Sequence, residues 1–304
     1  MEFGKLRDIG MVDFRMPRQP DASPALPTGI PQSAHPRCYI GCTGWAMKEW
    51  VGTVYPQGAR SGDYLAHYGQ QFNTIELNAT HYRVPSPETI EKWSRDTPAD
   101  FRFCPKVPQA ISHSRDLGTS TAQIEAFAYA MSGLGVRLGP SFLQLPPYFG
   151  LERWGILARF LERWPKHIPI AIEFREASWF RGGDLHPDAI QVLETHQAGA
   201  VITDVAGRRD VLHLRVTAPF VLLRFVGNDL HASDYERARA WAAQIQHWFA
   251  QGLPALYFFA HEPDNRQAPQ LADYAHQLLS GLPGVSCRGP VLAPSAPGQQ
   301  LGLF

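Results

Sequence analysis

A (β/α)8 TIM-type barrel is the fold class this sequence predicts, and three observations predict it. Eight short apolar runs read as strands, most are separated by helical patterns, and together they extend from residue 38 to residue 280 of 304. Strands alternating with helices pair in parallel with both faces covered. Roughly 250 residues is the usual size of such a barrel. An open doubly wound sheet is the alternative, since a sequence does not show closure.

Residues 1–37 carry six prolines from Pro17 to Pro36 and little apolar periodicity, so they read as an irregular or disordered leader. The barrel region is 38–280. CYIGC (38–42) is the first strand, followed by a loop with Trp45, Trp50 and Tyr55 and a helix over 61–72 that Ser61 or Asp63 can cap. TIELNA (74–79) leads to a helix that opens at Ser86 as N-cap with Pro87 at its first position, where the missing N–H costs nothing. FRFCPK (101–106) precedes a helix near 121–134. PSFLQLP (140–146) precedes 151–164, where Leu151, Trp154, Leu157, Leu161 and Trp164 recur at helical spacing. IAIEFR (170–175) precedes a helix at 187–198. AVITDV (200–205), FVLLRFVG (220–227) with a helix at 233–251, and ALYFFAH (255–261) with a helix near 267–280 complete the series. Residues 206–219 fit least well, because HLRV there suggests an extra strand in place of a crossover helix. The tryptophans Trp154, Trp164, Trp241 and Trp248 are expected to pack helices.

Composition narrows the partners. Lysine plus arginine and aspartate plus glutamate both number 28, so no global field draws the chain to nucleic acid or membrane. Four cysteines form no CxxC pair, and Cys38 and Cys42 would stand roughly 13 Å apart on one strand, too far for a disulfide. That pattern fits a reduced, cytoplasmic setting. No apolar run approaches the ~20 residues of a membrane span.

The functional signal is a ring of polar side chains. Strand residues alternate between faces, so the inward positions near the C-terminal strand ends are Glu76 and Asn78, Lys106, Gln144, Glu173 and Arg175, Asp204, Arg224 and His261. Active sites of such barrels lie at that end. Charges of this number are costly to bury as structure alone. Glu76, Glu173 and Asp204 are the catalytic candidates, with neighbouring cations lowering one carboxyl and leaving another higher for acid–base work. Lys106, Arg175 and Arg224 suit an anionic substrate. Glu76, Glu173, Asp204 and His261 are also ligand types for a divalent metal, the one cofactor class left open. Loop residues His81, Tyr82, Arg83, His113 and Arg115 follow the second and third strands, and Trp45, Tyr82 and Trp179 are expected on the rim, where they can stack on a base or sugar. GxSxG, GxGxxG and GxxxxGK[ST] are absent.

GCTGWAMKEW, FNTIELNATHYRVPSPETIEKW, FRFCPKVPQAISH, PSFLQLPP, IAIEFREASW, ITD and LLRF, in this order, resemble the family named domain of unknown function 72 (DUF 72, YecE-like). The resemblance implies a TIM-type barrel and supplies no reaction. Its motif positions fall on Gly44, Trp45, Trp50, Glu76, Asn78, Tyr82, Lys106, His113, Gln144, Pro146, Glu173, Arg175, Trp179, Asp204 and Arg224. The chain departs from it at FFAHEPDN (258–265), where His261 and Glu262 stand at positions that are amides in many members.

Residues 281–299 are rich in proline, glycine and serine, a flexible-linker composition. The chain ends Gln300-Leu301-Gly302-Leu303-Phe304, which resembles the pentapeptide that docks bacterial replication and repair proteins on the DNA sliding clamp, with Gln300, Leu301, Leu303 and Phe304 as partner-binding residues. The leading expectation is therefore a hydrolase or nuclease of a phosphate-bearing substrate, nucleic acid or nucleotide, recruited to the clamp in DNA replication or repair. Because the net charge is zero, a small pocketed target such as one extruded nucleotide fits better than a long DNA footprint. A hydrolase or isomerase of small sugars or sugar phosphates, and a non-catalytic clamp-associated module, are the alternatives.

Overall fold

The computed structural model describes residues 4–17, 26–27 and 33–292. Eight parallel strands alternate with helices in the predicted order: β1 (Arg37–Gly41), α1 (Tyr64–Gln71), β2 (Thr74–Leu77), α2 (Pro87–Asp96), β3 (Arg102–Pro105), α3 (Gln109–Ser112) and α4 (Gln123–Ser132). There follow β4 (Ser141–Gln144), α5 (Trp154–Arg163), β5 (Ile170–Glu173), α6 (Pro187–Thr195), β6 (Gly199–Asp204), β7 (Phe220–Val226), α7 (Ala232–Ala250), β8 (Ala255–His261) and α8 (Ala268–Ser280). A two-residue antiparallel hairpin, Phe180–Arg181 with Asp184–Leu185, lies between β5 and α6, and a last strand, β9 (Ser286–Arg288), follows α8. The helix ends obey the expected chemistry in places: Ser86 Oγ accepts from Thr89 N–H and Pro87 opens α2, whereas Asp63 precedes α1 without a side-chain cap.

Ladder hydrogen bonds join seven strands in the order β9-β1-β8-β7-β6-β5-β4, with β2 and β3 in a parallel ladder of their own. The two seams are bridged by other means. Between β1 and β2, Asn73 imitates a strand: its Oδ1 accepts from Ile40 N–H at 2.8 Å and its Nδ2 donates to the Cys38 carbonyl at 2.9 Å. The Tyr68 hydroxyl accepts from Cys42 N–H and donates to the Thr74 carbonyl. Gly41 is required there, because a Cβ would overlap the Thr74 carbonyl oxygen. Single backbone bonds, Glu76 N–H to Cys42 O and Val107 N–H to Phe142 O, continue the pairing at the C-terminal ends.

Period-two alternation sorts the interior. Tyr39, Cys104, Phe142, Ala171, Val201, Leu222, Tyr257 and Phe259 form one buried cluster from one strand face. The opposite strand face packs with the helices into the larger core, which includes Trp164, Trp241 and Trp248. Trp154 departs from expectation and is half exposed on α5.

No helix connects β6 to β7. The intervening segment holds one short turn, Arg209–Val211, and HLRV is extended but outside any ladder. Thr217 Oγ1 accepts from Ala200 N–H and donates to the Ala198 carbonyl, and the His213 ring meets the Val201 carbonyl. Side chains thereby cover β6 where a helix would lie.

The leader's described part, residues 4–17, has neither helix nor strand but is docked. The Gly4 carbonyl accepts from Gly207 N–H, Lys5 Nζ donates to the Pro263 carbonyl, and the Phe14 ring lies 4.8 Å from the Arg237 guanidinium. The tail's first part likewise departs from a free linker, since 286–288 pairs with β1 and sets Cys287 opposite Cys38. Residues 300–304 lie outside the described residues. No helix among the described residues is long and apolar enough to cross a membrane.

Candidate functional site

At the C-terminal ends of β2, β5 and β7 the inward positions are Glu76, Glu173 and Arg224, and they form the centre of one network. Arg224 Nε and Nη2 hold Glu76 bidentately at 2.8 and 3.1 Å, while Nη1 reaches Glu173 Oε1 at 2.8 Å. Glu76 also takes Asn78 Nδ2 at 2.9 Å and the His261 ring Nε2 at 2.9 Å. Glu173 takes Gln144 Nε2 at 2.6 Å, the Thr203 hydroxyl at 3.1 Å and the Arg175 guanidinium at 3.8 Å. Gln144, turned by that bond, presents Oε1 to Lys106 Nζ at 2.9 Å. Sequence alternation thus brings Glu76, Asn78, Lys106, Gln144, Glu173, Arg175, Arg224 and His261 into one connected cluster.

Burial, the largest single influence, would raise both carboxyls, and it is outweighed only by Arg224 acting together with the other partners of each. With His261 beside Glu76 and Arg175 beside Glu173, both titrate below the ordinary glutamate range, Glu76 well below it. The expectation of one low and one high carboxyl is therefore not met, and neither glutamate is a proton donor near neutrality. Burial lowers Lys106 to about 8, aided by Arg224. Burial also lowers His81 and His113, with Lys106 and Arg175 adding to it.

Asp204 does not join this cluster. Val201 and Thr203 are the inward residues of β6, so Asp204 faces α7, where it accepts from Arg237 Nη1 at 2.8 Å, Trp241 Nε1 at 2.6 Å and Arg209. Thr203, paired across the ladder with Arg224, is the residue that the sequence reading missed. The register of the neighbouring strand is the signal that assigns it. The metal candidates Glu76, Glu173, Asp204 and His261 accordingly do not form one ligand set, and no group of three or more such side chains among the described residues could hold a metal ion.

The rim also differs from expectation. Trp179 is fully buried, its Nε1 bonded to the Phe149 carbonyl and its ring against Phe149 and Phe174. Half-buried Trp45 packs edge-on against Trp93. Tyr82 alone of the three is open, at 81% exposure. It borders an open groove of about 620 Å³ whose lining includes His81, Arg83, Pro108, His113 and Ser114. His81 Nδ1 meets the Val107 carbonyl at 2.9 Å, His113 Nδ1 meets the Ser112 hydroxyl, and the two rings stand 5.8 Å apart.

Residues 39–293 match the model of the family described as protein of unknown function DUF72. The chain belongs to the DUF72 family. This DUF72 chain is 32% identical over 285 residues to the UPF0759 protein YecE of Escherichia coli K12, covering 88% of the chain and 99% of that protein. It is 32% identical over 152 residues to the UPF0759 protein YunF of Bacillus subtilis, covering 47% and 52%. A crystal structure of a DUF72 family protein from Enterococcus faecalis V583, at 2.52 Å resolution, shares the fold with a TM-score of 0.63 at 22% identity, over 82% of this chain and 99% of that one.

Proposed function

We propose that β1 to β8 close into a barrel and that the cluster at their C-terminal ends is the active site of an enzyme acting on a small phosphate-bearing substrate. Closure is supported by the Asn73, Tyr68 and Glu76 links from β1 to β2 and the Val107 link from β3 to β4. The observation that carries the functional reading is the gathering of three cationic side chains at one end of the strands. Lys106, Arg175 and Arg224 stand together around the carboxylates of Glu76 and Glu173. Such a group of cations suits a phosphate, whose geometry arginine matches.

Glu76 and Glu173 then act by holding Arg224, while His81 and His113, kept neutral, exchange protons with the substrate. With Trp179 buried and Trp45 packed, Tyr82 is the one expected stacking residue that remains available, which favours a nucleotide-sized or smaller ligand over a long strand. Thermal-shift and calorimetric titration with nucleotides and sugar phosphates tests this. A phosphate-bearing compound should stabilise the protein, and Arg175→Met should weaken its binding at least tenfold, about 1.4 kcal/mol. If no phosphate compound binds the folded protein, the reading fails.

The terminal Gln300-Leu301-Gly302-Leu303-Phe304 supports a further part of the reading, recruitment to a bacterial sliding clamp in replication or repair. Four specified positions coincide about once in 10^4 to 10^5 sites at average usage. Deleting Leu303 and Phe304 should abolish capture on the clamp, and undiminished capture would exclude the tail as the docking element.

A further inference from the structure

We propose that Lys106 is a covalent nucleophile whose amine condenses with a ketone or aldehyde carbonyl of the phosphate-bearing substrate to form an imine. The inference deepens the phosphate reading and rests on it for the substrate class. Of the five lysines, Lys5, Lys48, Lys92 and Lys166 are exposed on the surface, and Lys106 alone is half-buried.

Its surroundings differ from those of an ion-paired lysine. Two carboxylates lie in the same cluster, yet among the described residues neither comes within ion-pair distance of Nζ, because Arg224 occupies both. Nζ rests on the neutral amide oxygen of Gln144, and it lies 6.0 Å from the Phe142 ring centre. An amine that is desolvated and beside other cations, with no carboxylate to hold its proton, is the arrangement that activates lysine toward carbonyl carbon.

The backbone at Lys106 is held from both sides. Lys106 N–H donates to the Leu77 carbonyl, its own carbonyl accepts from the Thr80 hydroxyl at 2.7 Å, and Val107 N–H bonds to β4. The amine is thereby aimed from a fixed backbone, which lowers the entropy cost of attack. The charged groups facing it are Arg224 from β7, Glu173 from β5, Arg175 from the segment after β5, and Glu76 from β2, and its charge acts in turn on His81 and His113.

The step balances without a redox partner. The ammonium first gives a proton to His81, His113 or water. The neutral amine attacks the carbonyl carbon, a C–N bond forms, and the carbonyl electron pair moves to oxygen, which is protonated to give a carbinolamine. Loss of that oxygen as water leaves the imine, so one carbonyl and the Lys106 amine become one carbon–nitrogen double bond and one water molecule.

Borohydride trapping on the full chain tests the proposal, with dihydroxyacetone phosphate and dihydroxyacetone as paired probes and peptide mapping as the readout. One adduct should form on Lys106, at least tenfold more with the phosphorylated ketone, and the four surface lysines serve as internal controls. Labelling should rise as pH passes about 8, well below the ~10.4 of an ordinary lysine. Lys106→Arg, checked for an unchanged melting profile, should abolish it; should that variant fail to fold, the wild-type map decides alone. Adducts spread over the surface lysines would overturn the proposal. So would the absence of any adduct while inorganic phosphate still stabilises the protein, an outcome that leaves the phosphate reading standing. Equal labelling by the two ketones would overturn the substrate class, and with it the phosphate reading.

Discussion

Two buried ionic networks lie on opposite faces of the strands, and they differ in what they leave over. Outside the strands, Asp204 is fully enclosed by Arg237, Arg209 and Trp241, and Arg237 is shared with Asp234 and stacked on Phe225 at 4.3 Å and Phe14 at 4.8 Å. On the inward face, Glu76 and Glu173 share Arg224 with Lys106 and Arg175 beside them, and the charges of Lys106 and Arg175 act on His81 and His113, which line an open groove. The first network joins β6, α7, the leader and the loops into one body. The second gathers Lys106, Arg175 and Arg224 around two carboxylates. Buried charge by itself is therefore a poor marker of a site, and several like charges gathered at one end of the strands are a better one.

Removing the shared arginine is the most severe way to break this contrast. Arg224→Met strands two enclosed carboxylates at once, and the loss should reach the upper end of the ~3–5 kcal/mol typical of a broken buried pair. Urea unfolding should show part of that loss recovered on lowering the pH, because stranded carboxyls rise in pKa and fold more readily when protonated. A variant equally stable at pH 5 and pH 8 would show that water reaches the pair freely. Asp204→Asn is the matching change outside. Its cost should lie toward the lower end of the same ~3–5 kcal/mol, since the amide keeps part of the hydrogen bonding while Arg237 loses its counter-charge. Phosphate-ligand affinity of the folded protein should stay unchanged, and a tenfold loss would place Asp204 in the site after all.

Asp204 also shows where sequence reasoning fails. Alternation names the face of a strand only once one residue is anchored to it, and in AVITDV the adjacent polar residues Thr203 and Asp204 fall on opposite faces, so the run does not say which of them points inward. The pairing of Thr203 with Arg224 settles it, and that is a tertiary fact. In TIEL polar and apolar residues alternate, and in FVLLRF Arg224 is the one polar residue, so Glu76 and Arg224 are legible from sequence. Trp179 reads as a rim residue because it follows a strand by a few positions, but burial of a loop aromatic depends on partners as distant as Phe149. Asn73 and Tyr68 carry the β1–β2 seam with side chains in place of backbone pairing, and a strand pattern does not encode such a substitution. The eight-unit order, by contrast, is local pattern repeated, and all eight strands appear where the periodicity places them.

Glu262 tests the edge of the outer network by its pH response. Burial, with Asp234 adding repulsion, raises its carboxyl to about 8. The folded state therefore favours the protonated form, and this group's contribution to stability is full below the ordinary glutamate range and is lost as pH rises toward 8. Glu262→Gln cannot ionise, so the decline in melting temperature that Glu262 imposes between pH 5 and pH 8 should flatten. An unchanged slope would assign that dependence to other groups.

The smallest effect sharpens the comparison most directly, because it sets one aromatic from each side against the other. Phe14 sits on Arg237 and helps seat the leader, whereas the Tyr82 ring, among the described residues, meets the ring of His81 alone, edge-on at 5.3 Å, and is 81% exposed. A surface side chain with so few partners contributes within about 0.5 kcal/mol to stability. Stacking on a ligand ring is worth ~1–3 kcal/mol. Tyr82→Ala should thus leave the melting temperature nearly unchanged while weakening a nucleotide at least several-fold and a ring-free phosphate compound not at all. Equal weakening of both ligands would mean that Tyr82 orders the groove instead of stacking. Loss of stability without any change in affinity would assign it a packing role like that of Phe14, on the side of the sheet where packing is all that the aromatic residues do.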